Sequence, residues 1–570
     1  MRSERNNLAE LIEQAQGRKP ASLVIRNVSI FNLITGQMQR GDIAVCGDRI
    51  AGVGGPYRGK CELDGTGLIA VPGFIDAHVH VESSMVTPYE FERCVLPHGV
   101  TTAICDPHEL ANVAGTRAID YFLECARRMC MDLRIQICSC VPSTELETSG
   151  AVLGAEELRR YVAEPLSCGL AEFMNVPGIL TEDPEVLAKL ELFRNRVDGH
   201  CPQLAGKALD ACLAAGVRNC HESHTLAEAE EKLARGMQVL IREGSVARNL
   251  DALLPLITVG NSPFLCFCTD DRNPLDIAET GHLDHLIARA ISGGADPLAV
   301  YRVACWSPAV HFGLSDRGLI VPGRRADLVL LSDLERCQVV KVLKDGVVVD
   351  EQRFAARGVP PDPSQFLNTI RCGEVSAEQF QVHSARPRTP VIGIRPLSLL
   401  TDFLTRDLPV VEGCKPCVPQ EDIAKIAVLE RHGRNGNIAV GFVKGFGMKS
   451  GAIASSVGHD SHHLCTVGVS EEDMALAVNA LREAGGGFSV AVNGRVLDLL
   501  PLPVGGLLSF HDFETVAEEL RRIHAAVKAT GCPLETPFLQ LAFLPLPVIP
   551  SLRITDRGIV DVEKFAFVTP

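Results

Sequence analysis

The sequence contains no uninterrupted apolar run long enough to cross a membrane as a helix. Its most apolar late stretch, residues 539–552, is broken by three prolines and is shorter than the roughly 20 residues that a span needs. The first residues carry charges where a secretion signal would need an apolar run. Apolar residues recur there at helical spacing, at Leu8, Leu11, Ile12 and Ala15. We therefore expect an amphipathic surface helix at the start, and neither export nor a membrane span.

The sequence also lacks an excess of positive charge. It has 55 Lys and Arg against 70 Asp and Glu, a net charge of −15. Because little in such a chain neutralises phosphates, we expect no binding to a nucleic-acid backbone. The substrate is expected to be a small molecule, neutral or cationic.

Cysteine is abundant, with 21 residues that lie mostly in apolar segments such as 137–140 and 265–268. Free thiols in such surroundings behave as small hydrophobic side chains. Without a secretion signal, we interpret them as reduced thiols of a cytoplasmic protein.

The central block of the chain alternates short apolar strands with helical stretches. The predicted strands are residues 74–80, 100–105, 133–138, 170–174, 197–200, 217–222, 237–242 and 264–270. Eight such units are typical of a (β/α)8 barrel. An open doubly wound sheet would need a glycine fingerprint after the first strand, and none is present there. Asp183-Pro184 predicts a helix start, and Thr225 to Glu228 predicts a capping box.

Segments rich in β-strand patterns flank this block on both sides. We predict an α/β protein in which residues 1–70 hold the first helix and the first part of a small β-sandwich, and residues 319–370 hold its second part. Residues 71–318 form the catalytic barrel between them, and the changed composition of residues 371–570 indicates a separate C-terminal α+β domain.

A His-x-His motif ends the first barrel strand. Residues two apart on a strand share a face, so His78 and His80 are expected to project together. Two neutral imidazole nitrogens directed at one point suit a metal ion.

Further histidines and carboxylates follow the other predicted strands, at the end of a barrel that carries the chemistry. They are Asp106, His108, Glu109, Glu172, His200, His221, Glu222, Asp270 and Asp271. A purely structural role would scatter these residues, so the pattern favours a metal site.

Two positions require a choice between neighbours. His224 directly precedes the Thr225 helix cap, whereas His221 lies at the strand end, where inward-facing ligands belong, so His221 is the predicted ligand. Asp270 is the first carboxylate after the apolar strand and is preferred over Asp271, although an error of one residue in the strand register would reverse them.

Four imidazoles and two carboxylates suit a pair of divalent ions, such as Mn, Fe or Zn, and a carboxylate can bridge them. Such ions lower the pKa of bound water towards about 7. Asp270, if it is near that water, can accept its proton and pass it to a leaving group.

Several motifs resemble the adenine deaminase family of the amidohydrolase superfamily. They are Gly73-Phe-Ile-Asp-Ala-His-Val-His-Val-Glu-Ser-Ser, Asp106-Pro-His-Glu, Asp198-Gly-His-Cys-Pro, Arg242-Glu-Gly-Ser, Thr269-Asp-Asp and Gly451-Ala-Ile-Ala-Ser-Ser-Val-Gly-His-Asp-Ser-His. The resemblance covers nearly the whole chain and implies a dinuclear centre, manganese first and then iron or zinc, that hydrolyses adenine to hypoxanthine and ammonia in purine salvage. It implies the ligands His78, His80, Glu172, His200, His221 and Asp270. We expect catalytic roles for Asp270, Glu172 and His221, and purine contacts from His108, Glu109 and Asp271. A homodimer is also expected.

Two features depart from the family pattern. Cys220 precedes His221 where an aspartate is expected, and the segment from His459 carries an extra histidine at His463. The histidines from His459 to His463 are interpreted either as solvated loop residues or as part of a cover over the barrel mouth.

Other readings of the sequence remain as alternatives. The substrate could be a substituted aminopurine such as 6-methyladenine or a cyclic amide, and an inactive barrel used as a scaffold is a different class. The pair Cys414 and Cys417, with His80 and Glu82, only faintly resembles the signature of deaminases that use one zinc ion, because the cysteines lie hundreds of residues away. The glycine-rich residues 441–447 are expected to form a turn rather than a phosphate loop.

Overall fold

A computed structural model describes residues 2–396 and 398–569, with side chains described from residue 7 onward. Helix α1 (Arg2–Ala15) occupies the predicted position. Its Leu11 and Ala15 pack against the neighbouring sheet, whereas Leu8 and Ile12 are 57% and 45% exposed. Within the described residues, no helix is both long and apolar enough to cross a membrane.

The segments before and after the central block join in one mixed sheet of eight strands. The strands before the block are β1 (Ala21–Phe31), β2 (Met38–Cys46), β3 (Arg49–Val53), β4 (Gly59–Asp64) and β5 (Ile69–Pro72). Strand β5 pairs antiparallel with the segment Leu328–Asp333, so residues about 260 positions apart are neighbours. At the exit from β5, a Cβ on Gly73 would lie 2.1 Å from the Thr101 hydroxyl, so glycine is required where the chain enters the central block.

Eight parallel strands make up the central block. They are β6 (Phe74–Val79), β7 (Val100–Cys105), β8 (Asp132–Ile137), β9 (Ser167–Phe173), β10 (Val197–Gly199), β11 (Asn219–Cys220), β12 (Gln238–Arg242) and β13 (Leu265–Cys268). Each lies within three residues, at both ends, of its predicted bounds. β6 to β10 form one sheet and β11 to β13 another. Parallel bridges join the two sheets at both seams, between Val197 and Val217 and between Val79 and Asp270.

Helices follow most of these strands. They are α2 (Pro88–Val95), α3 (His108–Ala114), α4 (Thr116–Ala126), α5 (Ala155–Leu158), α6 (Val176–Leu180), α7 (Pro184–Leu192), α8 (Gly206–Ala214), α9 (Leu226–Ala234), α10 (Leu250–Leu253), α11 (Pro274–Thr280), α12 (Leu283–Ser292), α13 (Pro297–Tyr301) and α14 (Ser307–His311). Asp183 caps α7 as predicted, because its carboxylate accepts hydrogen bonds from the Glu185 and Val186 amides. The capping box at Thr225 is wrong in one half. Thr225 accepts from the Glu228 amide, but the Glu228 carboxylate accepts from the Gln203 and His224 amides instead.

The chain then completes the flanking sheet. Its last strands are β14 (Leu328–Asp333), β15 (Gln338–Lys344) and β16 (Val347–Val348), and helix α15 (Glu351–Ala355) follows. The observed order is β16-β15-β14-β5-β1-β2-β3, with β4 on the other part of β1. The two flanking segments therefore meet through the pairing of β5 with β14 in one mixed sheet, and the small β-sandwich stays a prediction.

The last part of the chain contains a second mixed sheet of eight strands, then a separate antiparallel sheet of three strands at its end, and helices. Its elements are β17 (Arg388–Ile394), β18 (Thr401–Asp407), β19 (Ile423–Leu429), β20 (Ile438–Lys444), β21 (Ala452–Ser455), β22 (Leu464–Gly468), α16 (Glu471–Ala484), β23 (Gly487–Val492), β24 (Arg495–Pro501), α17 (Phe513–Val527), α18 (Pro537–Ala542), β25 (Leu552–Thr555), β26 (Gly558–Asp561) and β27 (Ala566–Val568). This part rests on the carboxyl ends of the central strands, with hydrogen bonds such as Thr148 N to Asp556 Oδ1 (2.8 Å) and Ser509 N to Met85 O (2.8 Å).

Candidate metal centre and active site

The six predicted metal ligands lie together at the carboxyl ends of the central strands. His80, His200 and His221 directly follow β6, β10 and β11, and Asp270 lies two residues beyond β13. His78 and His80 have Nε2 atoms 3.1 Å apart, as expected for residues on one face of a strand. All six side chains are buried.

Glu172 lies between two pairs of histidines. Its Oε1 atom is 3.3 Å from His80 Nε2 and 3.9 Å from His78 Nε2. Its Oε2 atom is 2.7 Å from His200 Nδ1 and 3.0 Å from His221 Nε2. Burial alone would raise the pKa of Glu172, but His221 and His200 outweigh burial and hold it well below its usual range. One carboxylate with an oxygen on each pair has the geometry of a bridging ligand.

Asp270 faces the histidines with one oxygen and an arginine with the other. Its Oδ1 atom is 3.2 Å from His80 Nε2, and its Oδ2 atom is 2.6 Å from Arg242 Nη1. Burial opposes ionisation, but Arg242 and the nearby histidines hold the pKa of Asp270 well below its usual range. Its backbone is left-handed (φ 57°), and its amide donates to His78 O (3.0 Å). Asp270 is therefore a fixed, ionised ligand candidate.

The donor set fits a pair of divalent ions. Buried His, Asp and Glu ligand atoms form overlapping groups within 4.8 Å of one another, including His78-His80-Asp270 and His78-Glu172-His221. Burial, with His221 and His80, lowers the pKa of His78 well below its ordinary value, which keeps its imidazole neutral as a ligand must be. Mixed imidazole and carboxylate donors suit divalent transition metals.

The three predicted purine contacts lie beside this centre. His108 is close to the ligands themselves, because its Nδ1 atom is 3.4 Å from Glu172 Oε1 and 2.9 Å from Asp106 Oδ2. Glu109 lies on its other side, 3.2 Å from His108 Nε2. Asp271 accepts a hydrogen bond from the Ser83 hydroxyl. Burial and the charge of Asp270 raise the pKa of Asp271 to about 6.

Residues from the C-terminal part of the chain cover the site. His459 Nδ1 is 2.7 Å from Glu109 Oε1, and the His459 ring stacks on Phe543 with centroids 4.2 Å apart. His462 also contacts Glu109. The histidines from His459 to His463 are buried, so the interpretation of a solvated loop is wrong. Asp460, for which no sequence pattern predicts a role, lines the same pocket.

Arg242 is the other residue whose role the sequence did not reveal. It ends the apolar strand β12, where an arginine would ordinarily be taken as reaching solvent, yet it is fully buried between Asp270 and Glu222. The signal was its place at a strand end, which marks the reactive end of a barrel.

The alternative ligand candidates His224 and Cys414 do not line the pocket around Glu172. His224 contacts Glu222 at 3.0 Å and lies outside the group around Glu172, whereas His221 is in it. Cys414 lies beside His383, with Sγ and Nδ1 3.2 Å apart, in the C-terminal part of the chain, and not in the pocket with His80. The turn predicted over residues 441–447 is wrong for residues 441–444, which are the end of β20, and the chain bends only after them, at residues 445–446.

Two family models and several curated relatives match this sequence. The adenine deaminase C-terminal domain matches residues 398–566, and the amidohydrolase family matches residues 69–349. A curated adenine deaminase of Cereibacter sphaeroides is 57% identical, over 98% of this chain and 99% of the relative, and one of Gluconobacter oxydans is 55% identical over 98% and 99%. A solved triazine hydrolase variant is 16% identical, with a TM-score of 0.41 over 60% of this chain and 97% of that one. The extent of the sequence identity to the curated relatives establishes that the chain belongs to the adenine deaminase family of amidohydrolases.

Proposed function

We propose that this enzyme hydrolyses adenine to hypoxanthine and ammonia at a pair of divalent ions, with manganese as the native metal and iron or zinc as possible substitutes. The observation that carries the proposal is Glu172, whose two oxygens face two different pairs of histidines, in a chain 57% identical over nearly its full length to a curated adenine deaminase. Family membership implies a divalent metal, and the buried donor set supports a pair.

In this proposal His78, His80 and Asp270 would hold one ion, and His200 and His221 would hold the other. Glu172, whose two oxygens face the two pairs of histidines, would also be a ligand. Bound there, the ions supply the Lewis acidity that makes water a nucleophile at neutral pH. The residues hold that water against the purine, and the close packing of the six ligands fixes its position.

The water oxygen forms a bond to carbon six of adenine, and the bond from that carbon to the amino nitrogen breaks. The two protons of the water end on the departing nitrogen and on ring nitrogen N1. Asp270 is proposed to accept the first from the water and to return it to the departing nitrogen, and the second ends on N1, so that ammonia leaves and hypoxanthine keeps the oxygen. Arg242, 2.6 Å from Asp270, keeps this carboxylate ionised and oriented between proton transfers.

The purine is proposed to bind between the ligands and the cover from the C-terminal part of the chain. His108, Glu109 and Asp271 provide polar groups there, and Phe543, Leu546 and Ile549 provide an apolar wall. The wall excludes bulk water, which strengthens the charge interactions inside.

The other candidate functions have less support. Nothing in the pocket favours 6-methyladenine or a cyclic amide over adenine, and the names of the curated relatives agree on adenine deaminase. An inactive scaffold would not need six buried ligands gathered at one point.

We also propose the wider organisation of the protein. The eight parallel strands and their helices would form a (β/α)8 barrel over residues 71–318, with a small β-sandwich from residues 1–70 and 319–370 and a separate domain over residues 371–570. Bridges at both seams of the parallel strands support the barrel. A homodimer that binds neither nucleic acid nor membrane is proposed. The 21 free thiols support a reducing compartment, the cytoplasm.

The test combines metal analysis with turnover. Purified protein loaded with manganese should contain two ions per chain and release one ammonia per adenine consumed, as hypoxanthine forms. A panel with 6-methyladenine and a cyclic amide tests the alternatives. Two bound ions without adenine turnover would refute the proposed substrate, and absence of both metal and turnover after manganese supplementation would support the scaffold.

A further inference from the structure

A second cavity, of about 190 Å³, lies outside the metal site, where the C-terminal part of the chain meets helices α3 and α4. Three arginines from separate segments line it: Arg117 from α4, Arg371 from the chain before β17, and Arg434 from the turn between β19 and β20. Their side chains are exposed to solvent. Charged groups from distant parts of the chain thus meet around one space.

None of these three guanidinium groups has a carboxylate partner within 4.0 Å among the residues whose side chains the structure describes. Arg434 donates to Gly150 O (2.6 Å), and Arg117 lies 6.0 Å from the centre of the Phe366 ring. The nearby Glu430 is occupied, because its carboxylate accepts from the amides of the turn, including Arg434 N at 2.9 Å. In a chain with 70 acidic and 55 basic residues, three arginines at one cavity without a carboxylate partner among the described side chains form a local excess of positive charge.

A fourth arginine, Arg431, adds to this positive charge through its contact with a residue that lines the cavity. Arg431 is fully buried and donates to Thr369 Oγ1 (3.4 Å), which lines the cavity, and to Gly505 O (2.9 Å). Its Nε has no hydrogen-bond partner among the described residues. Burial lowers the pKa of Arg431 to about 9, and the groups that oppose this effect are the thiols of Cys372 and Cys465 rather than a carboxylate. A buried, unpaired charge is costly, and an anion in front of Thr369 would reduce that cost.

We propose that this cavity is a binding site for a phosphate group, either free phosphate or a phosphomonoester. Each guanidinium can donate two parallel hydrogen bonds to an oxyanion. A tetrahedral phosphate offers enough oxygens for three such groups, whereas a carboxylate offers two. The cavity is several times the roughly 30 Å³ share of one water, so it has room for a phosphate and part of its substituent.

The site also touches the segment that covers the metal centre. His432 lines the cavity, and its Nε2 atom is 2.7 Å from Ser461 O. Ser461 follows Asp460, which lines the metal pocket with His459. An anion that fixes the turn around His432 would therefore stabilise the position of this cover.

The experiment measures binding of inorganic phosphate and of glycerol phosphate to the manganese-loaded enzyme by calorimetry, at constant ionic strength set with chloride. We expect one saturable site for the phosphate group. Arg117→Gln and Arg371→Gln should each weaken it about tenfold, the loss expected for a hydrogen bond between charged groups. Arg406→Gln is the matched control, because Arg406 is also exposed and has no carboxylate partner among the described side chains. Tighter binding of inorganic phosphate would identify free phosphate as the ligand, and tighter binding of glycerol phosphate would identify a phosphomonoester.

Three results would overturn the proposal. The first is equal affinity in the wild type, Arg117→Gln and Arg371→Gln. The second is competition between adenine and phosphate with no effect of the arginine variants, which would mean phosphate binds at the metal centre. The third is a change of oligomeric mass in the arginine variants without phosphate binding to the wild type, which would make the cluster a subunit contact. Binding is measured without turnover, so the result does not depend on the proposed reaction.

Discussion

Replacing Asp270 or Asp271 with asparagine separates two neighbouring carboxylates that the fold treats differently. Asp270 is paired with Arg242 and faces His80, whereas Asp271 is bound by Ser83 and has its pKa raised to about 6 by burial and by Asp270. Neighbouring carboxylates whose pKa values are moved apart commonly divide acid, base and ligand roles. The proposed mechanism gives Asp270 both the ligand role and the proton transfer.

In Asp270→Asn, the neighbouring hydrogen-bond donors determine the orientation of the new amide. The amide nitrogen cannot face the Arg242 guanidinium, because both groups are donors, so the amide oxygen turns to Arg242 and the nitrogen turns to His80. The metal centre then loses an oxygen ligand and the base. We expect weaker manganese binding, and turnover lower by roughly 10²–10⁴, the contribution typical of general acid–base catalysis.

The assay must separate these two losses. Manganese is titrated until the rate reaches a plateau, and only plateau rates of ammonia release are compared between Asp270→Asn, Asp271→Asn and the wild type. Binding of a non-hydrolysable purine at the plateau should survive better than turnover, because binding needs no proton transfer. Near wild-type turnover in Asp270→Asn, with a large loss in Asp271→Asn, would refute the assignment and give the chemistry to Asp271.

Three further predictions concern the metal centre. His78→Ala should remain folded, with far-UV circular dichroism like the wild type, but lose metal and activity together. Full metal content with full activity would contradict its role. Glu172→Gln should reduce bound manganese from two ions towards one, by elemental analysis, because the amide cannot bridge through two anionic oxygens, whereas Glu156→Gln, at an exposed position, should keep two. Burial lowers the pKa of His221, but Glu172 and Asp270 outweigh burial and raise it to about 9. A proton and a metal ion therefore compete for one nitrogen of His221. Manganese affinity of the metal-free protein should therefore rise from pH 6 towards pH 9, and a pH-independent affinity would exclude this competition.

Much of the site followed from strand periodicity and strand ends. The places of His80, His200 and His221 could be predicted because each directly follows a short apolar strand, and parallel strands of a barrel bring their carboxyl ends to one mouth. The preference for Asp270 rested on the same reasoning, and its parallel bridge to Val79 gives it the position next to His78 and His80.

The rest depended on contacts that no local pattern encodes. His459 lies in the loop between β21 and β22, far along the chain from Glu109, and only the packing of the C-terminal part on the strands brings them to 2.7 Å. Thr225 capped its helix as predicted, but Glu228 bonded to Gln203 and His224, because those amides lay within its reach and needed an acceptor.

Three buried arginines, Arg242, Arg553 and Arg431, differ in how their positive charge is balanced. Arg242 is buried against two carboxylates, so its charge is balanced inside the metal site. Arg553 is equally buried and has no carboxylate partner among the described side chains. Its guanidinium donates to four backbone carbonyls, including Ile549 O (2.7 Å) and Phe543 O (2.9 Å), next to the apolar wall of the pocket. Among the described residues, Arg242 Nη2 and Arg431 Nε both lack a hydrogen-bond partner, but only Arg242 has carboxylates that balance its charge. Because buried charged groups ordinarily have a partner, Arg431 leaves room for an anion nearby. Thr369, which accepts a hydrogen bond from Arg431, lines the cavity of the three arginines.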